Sequence, residues 1–182
     1  MHQDPYLADV FPLPPLVAYR RPPNIRDKLI RAKVPEPLPE RPRRKIPGMR
    51  KCNNCPICPY VTTGQTVKST QTNYSVDINM GVDCKTKNII YMLGCKKCKM
   101  QYIGETHRTI QDRFSEHLGY VRNNHTNKVT GEHFNSKGHK QSDMSITVVE
   151  KLHNGSSLFR KQREKMYITK FNTKYKGMNR IT

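Results

Sequence analysis

The chain has 182 residues, with 33 Lys and Arg against 14 Asp and Glu, and its formal charge of +19 argues against cationic substrates and toward a polyanion, nucleic acid first. No stretch is apolar enough to cross a bilayer or to serve as a secretory leader, so the expected setting is the nucleus or the cytoplasm, without secretion or a membrane partner. The six cysteines fall in closely spaced groups rather than in a disulfide-like layout, which fits a reducing compartment and metal ligation.

In chain order, residues 1–47 hold eleven of the 13 prolines and read as a basic extension without a core of its own. Within it, residues 24–30 form a candidate short helix capped by Asn24. Residues 35–47 form a stiff linker of polyproline character whose basic run, 41–45, suits phosphate contacts. Residues 48–84 open with Cys52-Asn53-Asn54-Cys55-Pro56-Ile57-Cys58 and end at Cys84, with an alternating edge-strand pattern over 74–79. A piece this small and this poor in apolar residues needs a staple. Cys52, Cys55, Cys58 and Cys84 together supply a four-thiolate set for a zinc ion.

Residues 85–182 carry the compact domain. The run 89–93 is apolar and β-branched, like a buried strand, and 101–104 pairs with it as a hairpin. The period then changes to about 3.6, with Ile110, Phe114, Leu118 and Val121 on one helical face. A polar stretch, 123–138, contains a short helical piece at 131–134. A third strand, 145–149, and a helix starting at Ser156 or Ser157 and running to about Phe171 complete the order. The expected class is α/β, of the α+β kind: a small antiparallel three-stranded sheet flanked by helices, with a metal-stapled hairpin and a Cys-rich N-terminal appendage.

The hairpin and helix together resemble the GIY-YIG nuclease family. Ile89-Ile90-Tyr91 stands where the family has Gly-Ile-Tyr, with Ile89 replacing the glycine, and Tyr102-Ile103-Gly104 matches the second triplet. Arg113 and His117, one helical turn apart, resemble the family's helix Arg and the His that often follows it. Cys95 and Cys98 in the hairpin, with Gly-Glu-Thr after Tyr102-Ile103, resemble the endonuclease of Penelope-like retroelements over roughly residues 52–179. That resemblance implies a DNA endonuclease that nicks chromosomal DNA for primed reverse transcription, with element RNA or a reverse transcriptase domain as further partners. Nothing in the sequence offers the paired aspartates of a polymerase.

The resemblance also assigns roles. Tyr91 activates or orients the attacking water, Tyr102 points a second phenol at the same place, and Arg113 presents a planar, always-charged fork to the phosphate. His117 assists proton transfer or orients Arg113. Glu164 matches the carboxylate that holds a catalytic Mg2+ (or Mn2+), and Asn179 matches a late Asn that holds backbone near the site. Without the resemblance, the two tyrosines read first as core aromatics in strands. Glu164 shares a face with Ile168 and Phe171, which points to a used carboxylate, although a salt bridge to Arg160 would also account for it.

Cys95-x2-Cys98 in the hairpin turn and His133-x5-His139 downstream make a closed zinc set of two thiolates and two imidazoles, which Penelope-like elements also carry. The basic run 160–165 serves either phosphate contact or a solvated helix face. His107, His125 and His153 read as surface histidines. The functional expectation is therefore a metal-dependent nicking DNA endonuclease. The competing readings are a catalytically silent, zinc-stapled nucleic-acid-binding module and a repair-type nuclease sharing the fold.

Overall fold

Residues 19–22, 24–26, 46–153 and 155–179 are described by the computed structural model. Residues 1–43 and 44–182 form separate units, of which the second holds the sheet and the helices. Most of the expected helix at 24–30 and of the linker at 35–47, including 41–45, lies outside the described residues.

The elements in order are β1 (Gly48–Met49), β2 (Thr66–Lys68), β3 (Ser75–Asp77), β4 (Gly81–Val82), β5 (Ile89–Cys95), β6 (Gln101–Thr106), α1 (Ile110–Arg122), α2 (Val129–Phe134), β7 (Met144–Lys151), α3 (Ser157–Lys170) and α4 (Thr173–Lys176). The main sheet is antiparallel in the order β6-β5-β7, the three-stranded architecture expected from the sequence. Its middle strand, β5, is buried along almost its whole length, which accounts for its continuous apolar run. Tyr91 pairs with Gly104 across the hairpin and with Val148 on the other side, where the register shifts at Ile90/Tyr91. Such bulges re-aim a side chain, and this one lies at the residue that enters the site.

Helix α1 buries Ile110, Phe114, His117, Leu118 and Val121, so a histidine joins the expected apolar stripe. Thr109 caps the helix by accepting the Asp112 N–H at 3.1 Å. Two more of its N-terminal donors are satisfied from the turn just before β5, at the end of the Cys-rich segment: Ile110 N–H donates to the Thr86 carbonyl at 3.2 Å and Gln111 N–H to the Cys84 carbonyl at 3.0 Å. The segment before β5 thus seats the helix that carries Arg113 and His117.

The strand expected over 74–79 is shorter, Ser75–Asp77, and pairs with β2 in a small sheet of its own. The Cys-rich segment is joined to the main domain through hydrogen bonds, including Thr62 N–H to the Ile146 carbonyl at 2.9 Å. No helix among the described residues is long and apolar enough to cross a membrane.

Candidate active site and metal centres

The side chains predicted from the hairpin and α1 meet at the hydroxyl of Tyr91. This residue is 0 % exposed, and its oxygen accepts a hydrogen bond from Arg113 Nε at 2.9 Å and lies 2.8 Å from His117 Nε2. Arg113 and His117 reach it together because residues four apart on a helix share a face. The Tyr102 ring stands 6.4 Å from that of Tyr91 and 5.9 Å from that of His117.

Burial, then the neighbouring Tyr102, holds the Tyr91 phenol well above its ordinary pKa, with Arg113 pulling the other way. Burial, reinforced by Arg113, brings His117 down to about 3, so the imidazole is neutral near pH 7. A neutral imidazole accepts at one nitrogen and donates from the other, and the Arg113 N–H already uses one lone pair of the phenol. The proton of Tyr91 has an acceptor in His117 Nε2 in the tautomer that carries the ring proton on Nδ1.

Gly104 exists for space. A Cβ there would stand 2.5 Å from the Tyr91 hydroxyl oxygen and 2.6 Å from its Cζ. Both atoms belong to a fully buried ring that cannot swing away. Gly104→Ala is expected to cost about 1–3 kcal/mol of stability and to lower any activity of the site more than tenfold, measured by thermal melting beside a nicking assay.

Glu164 comes to the same place from α3. Burial, then the Glu105 carboxylate, holds it above the usual carboxylate range, while the Glu105 backbone N–H and Arg113 favour its charged form. Among the described residues it makes no ion pair. The salt bridge to Arg160 that would have explained it without a function is not formed: Arg160 pairs instead with Glu105, Nε to Oε2 at 2.7 Å. A half-buried carboxylate left free beside a neutralised one fits a divalent cation that keeps most of its waters.

Asn179 lies behind the site. Its Oδ1 accepts from Ile103 N–H at 2.9 Å and its Nδ2 donates to the Ile103 carbonyl at 2.8 Å. Strand β6 is a sheet edge, so this amide satisfies backbone groups that no strand pairs with, beside Tyr102 and Gly104.

Four residues make contacts here for which the sequence carried no clear signal. Glu116 pairs with both Arg108, at 2.8 Å, and Arg113, which fixes the guanidinium; only its place three residues after Arg113 hinted at this. Glu105 and Arg160 lie 55 residues apart, beyond any local pattern. Thr130, in the polar stretch, places its Oγ1 3.2 Å from His117 Nδ1. A cleft of about 300 Å³ opens beside these groups, lined by Tyr102, Arg113, Tyr120, Lys128 and Thr130 among others.

Both expected ligand sets are gathered in space. The donor atoms of Cys95, Cys98, His133 and His139 all lie within 4.8 Å of one another, and so do those of Cys52, Cys55, Cys58 and Cys84. In the first set, His139 Nε2 is buried without a hydrogen-bond partner among the described residues, while its Nδ1 meets Ser136 Oγ at 3.2 Å. One nitrogen is oriented and the other is left for a metal, the usual division in a ligating histidine. In the second set, the Sγ separations are 3.4 Å for Cys55–Cys58, 3.6 Å for Cys52–Cys58 and 3.9 Å for Cys58–Cys84. Zinc–thiolate bonds of about 2.3 Å in a tetrahedron require about 3.8 Å between sulfurs. Desolvation raises the Cys58 thiol, but hydrogen bonds from Cys55 and Cys52 outweigh it and bring Cys58 down to about 6. Both sets could hold a metal such as zinc.

A model of the GIY-YIG catalytic domain matches residues 87–179, just over half of the chain. The chain belongs to the GIY-YIG family, a family of nucleases that act on nucleic acid with divalent metal ions. No curated protein and no solved structure matches it at a significant level.

Proposed function

We propose that this protein is a metal-dependent DNA endonuclease that nicks one strand, of the kind carried by Penelope-like retroelements. The observation that carries the reading is the Tyr91 hydroxyl held between Arg113 Nε and His117 Nε2, with Glu164 beside it. Cys95 and Cys98 in the hairpin, with Gly104-Glu105-Thr106 after Tyr102-Ile103, support the retroelement type.

The phenol is too weak an acid in this site to wait as a phenolate. It acts instead as a relay. As water attacks phosphorus, its proton passes to the Tyr91 oxygen while the phenolic proton passes to His117 Nε2, whose basicity rises from its depressed resting value when the anionic phosphate offsets the charge of Arg113. The phosphorus–O3′ bond breaks, and O3′ takes a proton from solvent, leaving a 3′ hydroxyl and a 5′ phosphate. Arg113 binds the phosphate through its free guanidinium edge, and Glu116 keeps that fork in plane. Mg2+ on Glu164 would supply charge stabilisation at the scissile phosphate. His133, His139 and the six cysteines would hold two structural zinc ions.

The DNA itself is held by backbone contacts. A broad cleft of about 820 Å³ lies away from Tyr91 and is lined by Lys85, Lys87 and Lys151, which suits phosphates outside the cutting site. Affinity for duplex DNA is expected to fall on the order of a hundredfold or more between 50 and 200 mM salt. Deleting residues 1–47 should weaken binding to all sequences alike. Flat salt dependence in a filter-binding series would remove the electrostatic part of the reading. The direct test of function is supercoiled plasmid incubated with the full chain and Mg2+. Conversion to open circles that stops on adding a chelator is expected; persistent supercoils under every divalent metal would leave only a binding module.

A further inference from the structure

We infer that Thr130 is a positioning residue that sets the tautomer of His117 and so leaves Nε2 free to take the Tyr91 proton. The inference rests on the reading of Tyr91 as the residue through which the attacking water loses its proton.

His117 is buried and has one polar neighbour at each ring nitrogen: Tyr91 at Nε2, 2.8 Å away, and Thr130 Oγ1 at Nδ1, 3.2 Å away. Tyr102 and Tyr120 also meet the ring edge to face, and among the described residues no further hydrogen bond is made at either nitrogen. A neutral imidazole carries its single proton on the nitrogen whose partner accepts it. Tyr91 already receives the Arg113 Nε–H on one of its two lone pairs and has a proton to give, whereas Thr130 Oγ1 meets no other side chain among these contacts, so we assign Thr130 as the accepting partner. The ring then donates from Nδ1 to Thr130 Oγ1 and presents a lone pair at Nε2. The chain of contacts runs Thr130, His117, Tyr91, with a neutral hydroxyl in the place where other relays put a carboxylate.

Thr130 is itself held firmly. It is 2 % exposed. The next residue, Gly131, lies so close to the His125 and Tyr120 carbonyls that a Cβ there would overlap them. At the far end of α2, Asn135 Nδ2 donates to the Val121 carbonyl at 3.0 Å. The helix that carries Thr130 is thus docked on the end of α1 at two points. His133, one turn after Thr130, belongs to the Cys95/Cys98 ligand set, so the same short helix joins that set to the relay.

The test reads the proton directly. Long-range ¹⁵N–¹H spectra of the full chain, without substrate, should report His117 with its proton on Nδ1. Thr130→Val keeps the shape but removes the acceptor. It should move the proton to Nε2 and slow plasmid nicking by about tenfold to a hundredfold with DNA affinity unchanged. Thr130→Ser should keep both the tautomer and a rate within a few-fold of wild type. A wild-type ring protonated on Nε2 would overturn the inference outright, even if Thr130→Val failed to fold. So would a folded Thr130→Val with the wild-type tautomer and rate. A chain that shows the Nδ1 proton but never nicks DNA would confirm the hydrogen bond and overturn the nuclease reading, which keeps the two failures apart.

Discussion

Tyr91→Phe is expected to lower the nicking rate by a hundredfold or more, the size associated with loss of a positioned proton acceptor. The substitution removes one oxygen from a ring that is 0 % exposed and leaves the ring packing in place. That oxygen is the meeting point of Arg113 and His117, so its loss cuts the path by which a water proton reaches His117 Nε2. Arg113 would keep its pairing with Glu116 and would still bind phosphate. DNA affinity should therefore change little while the chemical step collapses, a split that single-turnover kinetics beside binding measurements would read. If Tyr91→Phe cuts as fast as wild type, the tyrosine is a core aromatic and the relay does not exist.

The second large effect is expected from metal removal. Stripping the ion from Cys95, Cys98, His133 and His139 should release the β5–β6 turn from the loop after α2, because these ligands link segments about 35 residues apart. Binding energy in such sites is folding energy. A loss of several kcal/mol corresponds to a fall of about 10 °C in Tm for a domain of this size. Protein purified without chelator should contain close to two zinc ions per chain, and Cys98→Ser should lower both that number and Tm. A value near one would leave the Cys95 set as the holder. Unchanged melting after complete chelation would mean that the clusters are only close-packed thiols and imidazoles.

The parts legible in the sequence are those with a short-range pattern. The apolar runs and the helical period place Tyr91 and Tyr102 on a hairpin and Arg113 and His117 on one helix face, but it is the GIY-YIG resemblance that singles these four out. Glu164 stands out because a charge interrupts an apolar face. Two-residue cysteine spacing marked both ligand sets before their atoms could be placed. What escaped is set by tertiary contact. Arg160 looked like a partner for Glu164 one turn away, yet a carboxylate on β6, close in space though 55 residues earlier, takes it instead. That choice leaves Glu164 free of any ion pair among the described residues. Thr130 sits in a stretch with no periodicity, and its importance depends on how α2 docks on α1. Strands of two or three residues, such as β1 to β4, are too short for alternation to reveal.

The central claim is that one metal-supported site, built on Tyr91, Arg113, His117 and Glu164, cuts the phosphodiester. Glu164→Ala, compared with wild type on supercoiled plasmid in Mg2+, tests it most directly. Removing this carboxylate leaves no buried charge unpaired, because Arg160 is matched to Glu105. The variant should therefore fold, melt within a few degrees of wild type and bind DNA as well. It should also lose nicking by on the order of a thousandfold, since the metal-borne stabilisation goes with the carboxylate. Nicking by Glu164→Ala at the wild-type rate, in protein that binds and melts normally, would contradict the account.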